Sequence, residues 1–219
     1  RPPRSTLSPS SAASDVYKRQ VIVNGSIFAY NTFIIVGPTD DSAGIAGLDP
    51  IEAMKRIYDA GEKGLAVFVS RGDESGTHQR EKMLWRLAGL EPYDKGWYNE
   101  TGTGMSETLL IANEKRAYTL SDIGTFLKLK KESRLEYLEC LVDEGRELMN
   151  IYSAYMVNES KYPHVKSDIA KQFIEFLLSD ECQELIGKYG VDKYGQPLFY
   201  PAKGKESELR EYWEWFASQ

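Results

Sequence analysis

The stretch Val69–Trp85, VSRGDESGTHQREKMLW, joins two different sequence patterns. The apolar run Leu65–Val69 leads into it and predicts a buried strand. From about Thr77 onward, apolar residues recur at helical spacing, and Gly89 supplies a stop signal. One arginine, two glycines and several hydroxyl side chains lie between the two patterns. The stretch therefore predicts a strand that runs through a donor-rich loop into a helix.

A loop of this kind is suited to binding an anion. The first N–H groups of a helix have no partner within the helix, and the helix dipole adds partial positive charge there. Gly72 and Gly76 allow the backbone to approach a ligand closely, and the Arg71 guanidinium matches the shape of an oxyanion. The predicted donors are Ser70, Arg71, Ser75, Gly76 and Thr77. The alternative is a plain helix cap with Arg71 in a surface ion pair.

A second loop of the same type strengthens the anion-site interpretation. The stretch Thr101–Lys115, TGTGMSETLLIANEK, is a Gly/Thr loop followed by a helix that starts at Met105 or Ser106. Two such loops in one domain could hold one small anion from two sides. The P-loop signature G-x-x-x-x-G-K-[ST] is absent from the sequence, which argues against a nucleotide site.

An enzymatic interpretation depends on a nucleophile beside a base. Ser75 and His78 are the candidates for a hydrolase, but no G-x-S-x-G elbow accompanies them. The sequence has no H-E-x-x-H motif and no Cys/His cluster, so neither a metal site nor a cofactor is predicted. Catalysis is therefore the weaker hypothesis.

Outside these loops, strands and helices alternate along the chain, which predicts an α/β fold. The predicted strands are Phe33–Val36, Leu65–Val69, Leu135–Val142 and Ile151–Val157. Predicted helices begin at Pro50, about Thr77, Met105, Ser121, and after caps at Ser167 and Ser179.

Length and composition limit the classes of protein. The chain has 219 residues, of which 42% are hydrophobic, and its net charge is −6. This charge argues against a nucleic-acid partner. No apolar run approaches the roughly 20 residues of a membrane span. Two distant cysteines, Cys140 and Cys182, are too few for a disulfide scaffold.

Residues 1–20 differ from the rest of the sequence. They are rich in Ser, Pro and Arg and have no periodic apolar pattern. The run Ser10–Gln20 resembles translated adapter sequence, and no apolar signal-peptide region is present. Residues 1–20 are therefore predicted to be a foreign or disordered segment.

Four motifs together resemble the tungstate-binding receptors of ABC importers, which belong to the periplasmic binding protein superfamily. The motifs are NTFIIVGPTDDSAGIAGL, FVSRGDESGTHQREKMLW, GTGMSETLLIANEKRAYTLSDIGTFL and FIEFLLSDECQELIGKYG. The resemblance implies an α/β type II periplasmic-binding-protein fold with two lobes and an oxyanion in the cleft. It further implies a non-enzymatic, monomeric, extracytoplasmic protein that passes tungstate or molybdate to a membrane permease. The implied divisions are 21–36 for part of lobe 1 and the crossover, 37–150 for lobe 2, and 151–219 for the return to lobe 1.

The resemblance also assigns ligand contacts. SRGDESGTH matches the family's oxyanion loop, which supports the donors named above. TGTGMSET matches a second loop at the cleft and implies contacts from Gly104, Met105 and Ser106. AYTLSDIGT adds Tyr118 and Thr119. The family's opening Thr/Ser-rich loop has no counterpart here, so we expect lobe 1 and the signal peptide to be incomplete.

Asp73 determines which anion is expected. Tungstate and molybdate are fully deprotonated at neutral pH and need only donors, whereas phosphate keeps a proton and needs an acceptor. If Asp73 pairs with Arg71, a fully deprotonated anion is favoured. If Asp73 instead faces the ligand, a phosphate-type receptor becomes the alternative.

Overall fold

The computed structural model describes residues 22–219, which form two compact units. The first unit is Thr32–Met149, and the second contains residues 22–31 together with Asn150–Gln219. The prediction for residues 1–20 lies outside the described residues.

Strands and helices alternate through the first unit, and the elements of both units are numbered together in chain order. The strands are β1 (Ile22–Pro38), β2 (Phe68–Ser70), β3 (Tyr98–Glu100), β4 (Thr119–Asp122), β5 (Leu138–Val142), β6 (Met149–Val157) and β7 (Tyr200–Pro201). The helices are α1 (Pro50–Glu62), α2 (Gly76–Ala88), α3 (Met105–Lys115), α4 (Ile123–Lys131), α5 (Ser167–Leu178), α6 (Asp180–Lys188), α7 (Val191–Tyr194) and α8 (Glu206–Ser218). The predicted α/β class is confirmed.

The sheet of the first unit is built around the second half of β1. That half pairs antiparallel with β4 on one side and with β5 on the other. β2 pairs in parallel with β3, and a single parallel bridge joins Phe68 to Tyr118 just before β4. Because β2 and β3 are parallel neighbours, their carboxyl ends lie side by side, and both candidate loops begin there.

Helices cover both faces of this sheet, so the predicted strand Phe33–Val36 is buried on both sides. Phe33 and Ile35 belong to one apolar cluster with Trp85, while Ile34 and Val36 belong to another. All four strand residues are at most 5% exposed. Alternate residues of a strand point to opposite faces, and a fully covered strand therefore appears as a continuous apolar run.

Local capping explains where two of the helices begin. The Asp49 carboxylate accepts the N–H groups of Ile51 and Glu52 at the start of α1, and Pro50 occupies the first turn. Ser75 caps α2, which ends at Gly89 in the left-handed conformation, as predicted.

Several predicted boundaries are wrong, and among them the strand predicted from Leu135 starts only at Leu138. Leu65 is 61% exposed, and the strand forms only at Phe68–Ser70. Ser121 lies in β4, so the helix predicted from that residue starts at Ile123, after Asp122 supplies the cap. Ser167 does not cap α5, since its hydroxyl is buried without a partner within the described residues.

The second unit has a smaller sheet with its own helices. β7 pairs with β1 at Ala29 and Tyr30, and β6 also pairs with β1. The buried Gln183 side chain links elements of this unit by donating to the carbonyls of Phe28 and Leu177. Ser179 caps α6 as predicted.

Both cysteines are free thiols, and Cys140 is held in its protonated form. Burial, aided by the negative charges of Asp143 and Glu139, raises the pKa of Cys140 to about 12. A thiol of this kind is a poor nucleophile at neutral pH. Within residues 22–219, no helix combines the length and apolar character that crossing a membrane requires.

Candidate anion-binding site

A five-residue loop, 71–75, connects β2 to α2 with a tightly folded backbone. Gly72 has a φ of 59° and Glu74 a φ of 57°, so two of its residues are left-handed. A Cβ atom on residue 72 would lie 2.8 Å from Cβ of Glu100. Glycine at 72 therefore meets two requirements at once, a positive φ and a close approach to β3.

Within this loop, Asp73 pairs with Arg71. A terminal nitrogen of Arg71 donates to Asp73 Oδ2, and the Ser75 N–H donates to Oδ1 at 3.2 Å. Partial burial acts to raise the pKa of Asp73, but the hydrogen bonds from Ser75 and the charge of Arg71 outweigh it and hold the pKa below its usual value. Asp73 is thus ionised, and it orients the guanidinium. Because Asp73 pairs with Arg71, the site favours a fully deprotonated anion, as the sequence predicts for this case.

Two buried N–H groups of the loop region have no hydrogen-bond partner within the described residues. They are Nε of Arg71 and Nε2 of His78. The side chain of His78 is only 4% exposed, and its Nε2 lies 3.7 Å from the nearest oxygen of Glu100, beyond hydrogen-bond range. Buried donors are normally paired. Two unsatisfied donors, one in loop 71–75 and one in the first turn of α2, therefore indicate a site for a ligand that accepts hydrogen bonds.

His78 is a neutral donor. Its Nδ1 accepts the Glu74 N–H at 3.1 Å, which places the ring hydrogen on Nε2. Burial, together with the positive charge of Lys82, lowers the pKa of His78 against the opposing effect of Glu74. His78 was not among the predicted contacts. Its position three residues after the cap, in the first turn of a helix, is the signal that could have identified it.

The start of α2 contributes further donors. Ser75 Oγ accepts the His78 N–H at 3.4 Å as the helix cap, and the Ser75 hydroxyl also interacts with the Asp73 carboxylate. Gly76 and Thr77 lie in the first turn, where an α-helix provides no acceptor for their N–H groups. The predicted contacts Ser75, Gly76 and Thr77 therefore lie at the start of α2, directly after loop 71–75.

The structure brings the second loop against the first. The N–H of Thr101 donates to the Ser70 carbonyl at 3.0 Å, and the N–H of Gly102 donates to the Arg71 carbonyl at 2.8 Å. α3 starts at Met105, and Gly104 gives it no side-chain cap. The first N–H groups of α3, which include those of Met105 and Ser106, are thus left without a side-chain acceptor.

Three of the predicted contacts have hydroxyl groups that are already bonded within the fold. Ser70 is fully buried, and its hydroxyl donates to Glu81 Oε2 at 2.7 Å, so this hydrogen is already used. Tyr118 is also fully buried, and its hydroxyl donates to Asp41 and accepts the Ala43 N–H. Thr119 is 1% exposed, and its hydroxyl points to the carbonyl of Leu120. These residues support the sheet beneath the loops, and sequence pattern cannot separate support from contact.

Replacing Gly72 with alanine should destabilise the first unit by about 1–3 kcal/mol, because alanine is strained at a positive φ and its Cβ would meet Glu100. The matched control is Gly76→Ala, where a Cβ has open space and no positive φ is needed. The control should change the free energy of unfolding by less than about 1 kcal/mol. Urea unfolding measures both, and equal effects would contradict the assigned backbone constraint.

Comparison with known proteins identifies the superfamily of this chain. A model of the PBP (periplasmic binding protein) superfamily domain matches residues 7–181. This chain belongs to the PBP superfamily. Its similarity to individual members extends through both the first and the second unit.

Individual relatives of this PBP chain are named for the binding of anions or tungstate. It is 42% identical over 182 residues to a putative ABC transporter anion-binding protein of Haloferax volcanii, covering 82% of this chain and 51% of that protein. It is 38% identical to the tungstate-binding protein TupA of Peptoclostridium acidaminophilum, covering 89% of this chain and 64% of the relative.

Among solved structures, the tungstate-binding protein TupA of Desulfovibrio alaskensis G20 matches with a TM-score of 0.77 and 36% identity, over 88% of this chain and 76% of that one. The chain spans about half to two thirds of the length of the curated relatives it matches.

Proposed function

We propose that this chain is the substrate-binding component of an ABC importer and that it captures a tetrahedral oxyanion, tungstate or molybdate. The observation that carries the proposal is a pair of buried N–H donors without a partner among residues 22–219, Arg71 Nε in loop 71–75 and His78 Nε2 in the first turn of α2. The tungstate-binding and anion-binding relatives support the same class of ligand.

The donors of the site outnumber its acceptors, which favours a ligand with acceptor oxygens only. Arg71, His78 and the first-turn N–H groups of α2 all donate. The carboxylate of Asp73 is occupied by Arg71 and by the Ser75 N–H. Phosphate at neutral pH carries a proton that needs an acceptor, so the alternative of a phosphate-type receptor is the weaker one.

The geometry does not favour the hydrolase alternative. A nucleophile–base pair needs a hydrogen bond between the hydroxyl and a ring nitrogen. The Nδ1 of His78 is taken by the Glu74 N–H, and Nε2 has no hydrogen-bond partner among the described residues. Ser75 Oγ bonds to the backbone N–H of His78 and not to its ring. The relatives, moreover, are named as tungstate-binding or ABC transporter anion-binding proteins.

The class of relatives also supports a location and a partner. A receptor of an ABC importer works outside the cytoplasm, in the periplasm or anchored at the outer face of the membrane. We propose that it delivers the anion as a monomer to the permease. No cofactor or metal ligand is needed, because hydrogen bonds alone hold the oxyanion.

Parallel titration calorimetry with tungstate, molybdate, sulfate and phosphate tests the function. About four donors, at roughly 1.5–3 kcal/mol each, give on the order of 8 kcal/mol once ordering costs are subtracted, which corresponds to roughly micromolar affinity. We expect tungstate and molybdate to bind in that range and phosphate to bind at least tenfold more weakly. Phosphate as the tightest ligand would favour the alternative receptor, and no binding of any of the four would contradict the proposal.

A further inference from the structure

Glu81 is a buried carboxyl group that contacts Ser70, the residue directly before loop 71–75. We call loop 71–75 the anion loop. Glu81 lies on α2, is 2% exposed, and accepts three hydrogen bonds. The Tyr98 hydroxyl donates to Oε1 at 2.7 Å and Trp85 Nε1 to the same oxygen at 3.3 Å, while Ser70 Oγ donates to Oε2 at 2.7 Å. An acidic group is rarely placed in a core without a cation beside it. Neither lysine nor arginine donates to Glu81 in the part of the chain that the structure describes.

The hydrogen bond from Ser70 connects Glu81 to the loop. Ser70 Oγ gives its only hydrogen to Glu81 and uses its lone pair to accept the Gly72 N–H at 3.2 Å. The carboxyl group thereby fixes the direction of the hydroxyl, and the hydroxyl fixes the first turn of the loop. This turn lies between Arg71 and Asp73, the pair that presents the guanidinium. The function proposed above leaves this chain of contacts unexplained.

The charged group that acts most strongly on Glu81 is itself negative. Glu100 on β3 adds a negative charge that acts on Glu81, and the Glu81 charge in turn acts on Tyr98 of β3 and on Tyr93 before that strand. Tyr58 of α1 and Tyr118 pack into the apolar cluster that contains Trp85 and Tyr98. Burial, followed by the effect of Glu100, raises the pKa of Glu81 to about 7 against three hydrogen bonds that lower it.

We propose that Glu81 is the positioning residue of the anion loop, that it acts through Ser70 on Gly72, and that it takes up a proton when the oxyanion binds. The proposal rests on the proposed function for its ligand. An anion beside Arg71 brings further negative charge close to a carboxylate that has no cation among its partners, and repulsion then favours the protonated acid. The added proton lies on Oε1 of Glu81, so Oε2 still accepts the bond from Ser70.

The direction of the pH effect follows from this linkage. Anion affinity should be highest below the pKa of Glu81 in the unliganded protein, about 7, and should fall as pH rises through the higher pKa of the complex. A rise of about one pKa unit on binding would weaken affinity roughly five- to tenfold between about pH 6 and 8.5. In the unliganded protein, stability should decrease between about pH 4.5 and 7, where only the folded state keeps the proton.

Calorimetry with tungstate on the wild-type chain, Glu81→Gln and Glu114→Gln tests the proton uptake. Glu114 is an exposed carboxylate on α3 and controls for the loss of one charge. Titrations at several pH values, each in two buffers of different ionisation enthalpy, measure affinity and proton uptake. We expect wild type and Glu114→Gln to show the pH dependence, and Glu81→Gln to bind at pH 6 within about threefold of wild type but to lose both the dependence and the uptake. An unchanged pH profile in Glu81→Gln overturns the coupling.

Hydrogen exchange without any anion tests the positioning separately. In Ser70→Ala the link between Glu81 and Gly72 is cut, and we expect amide exchange at residues 71–75 to accelerate about tenfold or more, with exchange in β4 unchanged. Unaltered exchange of the loop overturns the positioning role. If the wild-type chain binds none of the anions, the proposed function and the proton coupling both fail, and the exchange result still decides whether Glu81 holds the loop.

Discussion

Replacing Arg71 with alanine should weaken tungstate binding by about 10- to 100-fold, because the loop loses its only charged donor. Charge-assisted hydrogen bonds contribute roughly 1.5–3 kcal/mol each. The loss also leaves Asp73 without its cation, so a negative charge remains close to the incoming anion. Titration calorimetry at pH 7 measures the change in affinity.

Two control variants test whether the loss of affinity comes from the Arg71 guanidinium itself. Arg86→Ala removes an exposed arginine in the last turn of the same helix and should leave affinity within about twofold. Arg71→Lys keeps the charge but not the planar fork, so affinity should fall between wild type and alanine. If Arg71→Ala binds tungstate within about threefold of wild type, the anion does not lie in this loop.

Replacing Trp85 with alanine should lower the free energy of unfolding of the first unit by about 3–5 kcal/mol. Trp85 is fully buried. Its ring lies 5.2 Å from Phe68 and 6.3 Å from Trp97, centroid to centroid, and its Nε1 donates to Glu81. The substitution leaves a cavity between α2 and β2, the two elements that hold the anion loop.

Urea unfolding measures the effect of Trp85→Ala, and Trp213→Ala is its control. Trp213 lies on α8 in the second unit and is 42% exposed, so its removal should cost less than about 1 kcal/mol. A loss of less than about 1.5 kcal/mol in Trp85→Ala would contradict the assignment of this side chain to the centre of the core.

The elements with the strongest local signals were predicted from sequence. The run Phe33–Val36 predicts a buried strand, and the pattern from about Thr77 to Gly89 locates α2 to within one residue at each end. Each of these predictions depends on residues that are adjacent or one turn apart. Leu65 and Ser121 were assigned wrongly because strand pairing, which joins distant residues, decided those boundaries.

In the candidate site, too, local features could be predicted from the sequence, whereas contacts between distant residues could not. The Arg71 loop could be recognised from its glycines and donors, and the pairing of Arg71 with Asp73 joins residues only two positions apart. The use of Ser70 by Glu81, and of Tyr118 by Asp41, could not be recognised, because these partners are 11 and 77 positions apart in the chain.

By itself, the sequence determined the α/β class, the donor-rich loop between β2 and α2, and the resemblance to oxyanion receptors, because local spacing encodes strand, loop and helix start. Only the tertiary structure decided which hydroxyls are bonded within the fold, that His78 Nε2 has no partner among residues 22–219, and that the buried Glu81 accepts the Ser70 hydrogen. These properties depend on burial and on hydrogen bonds between distant segments. A hydroxyl has one hydrogen to donate, and the fold determines which acceptor receives it.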